Sequence, residues 1–162
     1  MQKFYTLNLY AVLITCGGLA LWLVLACFSS LPIDSRISLL PVGGSFLTFL
    51  LLNSFFYLRN KERCLRLPQS VSERAIDVSH AAIYCLCIAI TAYGFYSYPS
   101  APIKPDAGSF TDKAGHKYTY QQFRNFQKWE VAYMTTWTIC ALSCVVFMPF
   151  YDTKSKKFRF QD

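Results

Sequence analysis

Residues 4–33, FYTLNLYAVLITCGGLALWLVLACFSSLPI, run for thirty positions without a charged side chain. A backbone crossing about 30 Å of hydrocarbon must bond its own amides within one helix, which takes roughly 20 apolar residues at 1.5 Å rise. This stretch is long enough, and three more follow: Ile37 to Leu58, Val78 to Ile103 with His80 taken as neutral, and Val131 to Tyr151. None shows the polar face at 3.6-residue spacing that a surface helix of a soluble core turns to water. The expected fold is an all-α membrane protein, with four transmembrane helices in an antiparallel bundle. The spans fall near 6–28, 38–58, 79–98 and 130–151, with a structured outer loop over 99–129.

Composition agrees: 54% of the 162 residues are hydrophobic and 15% are charged, against roughly 25% charged in a soluble domain. One four-span domain, 1–162, accounts for the chain. Leu25, Ala26 and Cys27 loosely resemble the end of a lipoprotein signal. The apolar run is far longer than a signal core, however, and only Lys3 precedes it, so the segment reads as a retained span.

The basic residues divide unequally between the two ends of the spans. Lys3, Arg59, Lys61, Arg63, Arg66, Arg74, Lys154, Lys156, Lys157 and Arg159 share one side; Arg36, Lys104, Lys113, Lys117, Arg124 and Lys128 share the other. The positive-inside rule then puts both termini in the cytoplasm. The net charge of +7 therefore points to anionic headgroups of the lipid bilayer and not to nucleic acid. Cys16, Cys27, Cys85, Cys87, Cys140 and Cys144 lie in spans, Cys64 lies in the basic loop, and none lies in the outer loop. That excludes a disulfide-forming oxidoreductase, which needs exposed paired cysteines.

The loops differ in character. Ser29 to Arg36 is tight and broken by Pro32, which predicts a hairpin of spans one and two. The second loop is basic, interrupted by Pro68, with Ser72 or Ser79 as candidate caps for a helix entering span three. In the third, Pro99, Pro102 and Pro105 predict extended backbone, and residues 110–119 read as a β-hairpin in which Gly115 supplies a positive φ. Thr119 and Gln122 have capping-box spacing, so a helix should begin near Tyr120 and continue unbroken to Tyr151. Its projecting turns carry Tyr120, Phe123, Arg124, Phe126, Lys128 and Trp129, an amphipathic collar taken as the candidate partner-binding surface.

No candidate catalytic set, metal site or cofactor site emerges. The span interiors hold no ionisable pathway, Glu130 sits only at an entrance, and His80 and His116 are too far apart in the topology to share a haem or metal. Asn53 is read as the one amide in the middle of a span, needing a cross-helix partner. Ridges of small residues, Ala81, Cys85 and Ala89 on span three and Thr136, Cys140 and Cys144 on span four, predict close helix packing, as do Gly17, Gly18, Gly43 and Gly44.

These features favour a non-enzymatic protein that works through protein contacts. In size and span count the chain resembles the four-span immunity proteins against pore-forming colicins of the A type. The resemblance implies an immunity or exclusion protein whose partner is a toxin domain; it covers architecture only, with no shared motif. The alternative is an accessory subunit of a larger membrane complex. An oligomeric channel or transporter would need polar faces that only Asn53 and scattered Thr and Ser supply.

Overall fold

A computed structural model describes residues 2–28, 35–59, 65–69, 71–100, 103–106, 109–152 and 157–159. Four helices dominate: α1 (Gln2–Phe28), α2 (Ser35–Arg59), α3 (Glu73–Ser97) and α4 (Tyr120–Phe147), which runs on into a 3-10 turn at Met148–Phe150. By length and composition α1, α3 and α4 with its 3-10 turn can each cross a membrane, whereas the apolar part of α2, Leu39–Phe55, is shorter. Ser72, not Ser79, caps α3: its hydroxyl accepts the Ala75 amide at 3.1 Å. Span three therefore belongs to a helix that begins almost two turns before the apolar stretch.

The hub of the fold is α4. The other three helices all pack on it, and they pack on one another far less. The predicted hairpin of α1 and α2 is thus antiparallel in direction but is not closed upon itself; the connection, 29–34, lies outside the described residues. Where the two helices do meet, the Asn8 amide donates to Asn53 Oδ1 at 2.8 Å, and Asn53 donates to the Phe49 carbonyl at 2.8 Å. Asn53 is 2% exposed. Asn8, near the start of the first apolar segment, is the cross-helix partner of Asn53.

On α1 the residues Tyr5, Leu9, Val12, Cys16 and Leu19 recur every three or four positions, forming one stripe that meets Val42 and Phe46 of α2 and Leu142 and Val146 of α4. The small-residue ridge predicted on α3 turns away from this packing. Ala81, Cys85 and Ala89 are exposed, while Cys87 and Gly94, seven residues apart and hence on one helix face, are buried. The reason is steric: only Gly94 can lie under the Trp129 ring, and that contact sets the rotation of the whole helix. On α4 Thr136 is buried, Cys140 half-buried and Cys144 exposed. The glycines of the first two helices play no part in close approach, because nothing lies within 4 Å of a side chain built at Gly17, Gly18, Gly43 or Gly44.

The start of α1, the end of α2, the start of α3 and the end of α4 share one end of the molecule. There the Leu65 amide donates to the Pro149 carbonyl at 3.2 Å, Leu67 to Arg159 at 2.6 Å, and Arg159 to Phe150 at 3.3 Å. The chain following α4 thus folds back on the loop after α2 and is built into the fold.

Candidate functional site

At the opposite end α3 gives way at Tyr98 to a three-stranded antiparallel sheet, β1 (Lys104–Asp106), β2 (Ser109–Thr111) and β3 (Lys117–Tyr118), in the order β1-β2-β3. The hairpin expected between β2 and β3 is present, and Gly115 takes φ 84° within it. The strand β1 extends the sheet beyond that expectation. Pro105 is compatible with it because an edge strand can spare a donor. Two further strands, β4 (Tyr151–Asp152) and β5 (Lys157–Phe158), pair at the terminus end.

The turn from β2 to β3 is organised by one carboxylate. Asp112 Oδ1 accepts the amides of Ala114 and His116, each at 2.9 Å, and Oδ2 accepts the Tyr118 hydroxyl at 2.9 Å and lies 3.0 Å from His116 Nδ1. Burial alone would push this carboxyl up, but the bonds from His116, Tyr118 and Ala114 together hold it down to about 2. The Tyr118 hydroxyl is shifted up in turn, chiefly because it donates to that anion. The His116 ring, 70% exposed, hangs outside. Among the described residues no hydroxyl or thiol is bonded to it, and no group of three metal-ligating side chains forms.

One face of the sheet is aromatic and packs on the first turns of α4. Phe110 stacks on Phe123 with centroids 4.4 Å apart and planes at 18°. Behind them Tyr98, Ile103 and Phe126 are buried together, with Tyr98 set edge-on to Phe126 at 5.3 Å. The start of α4 has the predicted capping box: the Thr119 amide donates to Gln122 Oε1 at 2.8 Å and Thr119 Oγ1 accepts the Gln122 amide at 3.3 Å. Trp129 lies over Gly94 and donates its indole N–H to the Ile90 carbonyl at 2.9 Å. Lys128 reaches across to the Cys27 carbonyl at 3.0 Å, satisfying one of the orphan acceptors in the last turn of α1.

The collar proposed as a docking surface is therefore largely consumed by the fold. Phe123, Phe126, Lys128 and Trp129 hold the sheet, α3 and α1 in place. Tyr120, 55% exposed, stays outside, with the half-buried Arg124 guanidinium 6.0 Å from its ring centre. What faces away instead is the second face of the sheet. Lys104, Thr111 and Lys117 are mutual partners in the register, so they form one row across three strands, opposite to Pro105, Phe110 and Tyr118. This row was legible in the alternation of polar and apolar residues along Lys104-Pro105-Asp106, Ser109-Phe110-Thr111 and Lys117-Tyr118. Reading 99–106 as merely extended hid it. No family model, curated protein or solved structure matches the chain.

Proposed function

We propose that the chain crosses a bacterial inner membrane four times, with both termini cytoplasmic, and acts without catalysis by presenting the sheet end of the molecule to another protein. The reading favoured is an immunity or exclusion protein that blocks a membrane-acting toxin. The observation that carries it is the continuity of α4. One 28-residue helix, about 42 Å long at 1.5 Å per residue, is both the hub of the apolar bundle and the post on which the sheet is mounted. About 30 Å of that length suffices for the hydrocarbon, so the first turns project and carry the sheet as a rigid platform. The apolar part of α2, Leu39–Phe55, meets the lower end of the roughly 17–25 residues that a span takes, which supports a fourth crossing.

The second reading, an accessory subunit of a membrane complex, draws on the outward strip Ala81, Cys85 and Ala89 of α3, which leaves room for a foreign helix. Affinity purification of the full chain from native membranes separates the two. An immunity protein should be recovered alone and should protect cells against one toxin domain; a subunit should carry fixed partners in constant ratio. Recovery in monodisperse, folded form without detergent would refute both. Alkaline phosphatase fused after Asp162 should be inactive, and activity there would invert the orientation.

A further inference from the structure

Five basic residues, Lys104, Lys113, Lys117, Arg124 and Lys128, and two acidic ones, Asp106 and Asp112, fall within 99–129. The fold sorts them unequally. Asp112 is wholly buried, with both carboxylate oxygens bonded inward, and Lys128 is committed to the end of α1. Lys104 and Lys117 are exposed at the two ends of the cross-strand row, and Lys113 is exposed in the adjoining turn beside His116. Asp106, two residues from Lys104 and so on the same face by the strand alternation, sets one negative charge against these three lysines, a net of +2; among the described residues no carboxylate pairs with any of the three. With strands about 4.8 Å apart, the ends of the row are separated by about 10 Å, close to the reach of three residues of extended chain.

We infer that the outward face of this sheet, Lys104, Thr111 and Lys117 with Lys113 at its border, is a docking surface for an acidic, extended segment of a protein partner. This rests on the protein-contact reading above and specifies the chemistry of the contact. The exposed lysines supply the charge complementarity, and the Thr111 hydroxyl between them supplies a hydrogen-bonding group at mid-row.

Geometry favours a protein over the bilayer as the source of negative charge. Phe110 stacks on Phe123, eight residues before the apolar stretch opens at Val131, about 12 Å along the helix. A headgroup layer is about 5–7 Å deep on each side; counted from Val131 the stack lies beyond it, and counted from Tyr98, which ends span three and packs on Phe126, it lies in its outer part. The ring-bearing face is packed on the flank of α4, whose axis crosses the membrane. The lysine row therefore looks along the membrane surface and not down into it.

The test uses the full chain in nanodiscs of neutral lipid and, separately, of lipid containing phosphatidylglycerol. The probe is a short poly-glutamate peptide, with poly-glutamine as control, and binding is read by fluorescence anisotropy at low and high salt. The wild type should bind poly-glutamate alone, and less tightly as salt rises. The double variant Lys104→Glu and Lys117→Glu should bind at least tenfold more weakly, with its Asp112 carboxyl resonance unmoved as evidence that the turn is intact. Arg74→Glu, an exposed charge at the other end of the molecule, should bind like wild type, and so should wild type in either lipid.

No binding by the wild type, or equal binding by the double variant, overturns the inference. So does suppression of binding by phosphatidylglycerol, which would mean that headgroups already occupy the lysines. Partner capture from native membranes is independent of this assay. A captured partner that the double variant retains would leave the protein-contact reading standing and remove the lysine face.

Discussion

Gly94→Ala inverts the usual sign of a glycine substitution in a helix. In an unobstructed helix interior, alanine in place of glycine stabilises by up to about 1 kcal/mol because it restricts the unfolded chain. At Gly94 the new methyl would sit within the Trp129 indole. Displacing that ring costs about 1–3 kcal/mol of overpacking, and losing its hydrogen bond to Ile90 costs about 0.5–1.5 kcal/mol more. Set against the propensity gain, the net effect is a loss of roughly 1–3 kcal/mol. Gly44→Ala is the matched control, since nothing lies within 4 Å of the added methyl; it should be neutral or slightly stabilising. Unfolding in mixed detergent and lipid micelles, followed by far-ultraviolet circular dichroism, measures both variants. Combining Gly94→Ala with Trp129→Ala should be strongly non-additive, because the clash disappears with the ring. A Gly94→Ala protein as stable as wild type would refute the assignment of Trp129 to this contact.

Three further outcomes follow from the bonds at either end of the bundle. Asp112 has a folded pKa near 2 against an ordinary value of 3.8, so its support of the turn is complete above about pH 4 and is lost as the pH falls through 2. Carbon-13 titration of the carboxyl should give that low midpoint, and a midpoint near 3.8 would dissolve the four-bond hub. Asn8→Ala should destabilise the bundle by about 0.6–1.7 kcal/mol in the micelle unfolding assay, while Asn8→Leu combined with Asn53→Leu should recover much of the loss, because no polar group is then left unpaired. Thr119→Ala should cost about 1 kcal/mol and fray α4 as far as Phe123. The amide-exchange rates of residues 120–123 would report the fraying, and unchanged rates would mean that the capping box contributes nothing.

Features governed by neighbours a few residues apart were readable from the chain alone. The capping box at Thr119 and Gln122 and the left-handed turn at Gly115 each need only local chemistry, and both stand in the structure. Helix rotation was not readable, for a physical reason. Within an apolar span the face turned to lipid and the face turned to a neighbouring helix are equally greasy, so 3.6-residue periodicity carries little information. A ridge of small residues at Ala81, Cys85 and Ala89 looked like a contact, while the true contact was fixed by one distant ring above Gly94. The contacts of the collar on α4 were hidden for a related reason. Amphipathic turns need something to cover their rings, and the pattern could not say that Phe110 of β2 and Tyr118 of β3 would do so. Pro105 marks only extended backbone, and a three-residue edge has too few residues to announce itself.

The hub helix is also the last of the four to emerge from the ribosome. Until it appears, α1, α2 and α3 have little to hold on to except one another, and their mutual contacts are sparse. Assembly therefore waits for the final segment, and a chain interrupted before Thr119 should behave as separate helices open to proteolysis, with no partial bundle to shelter them.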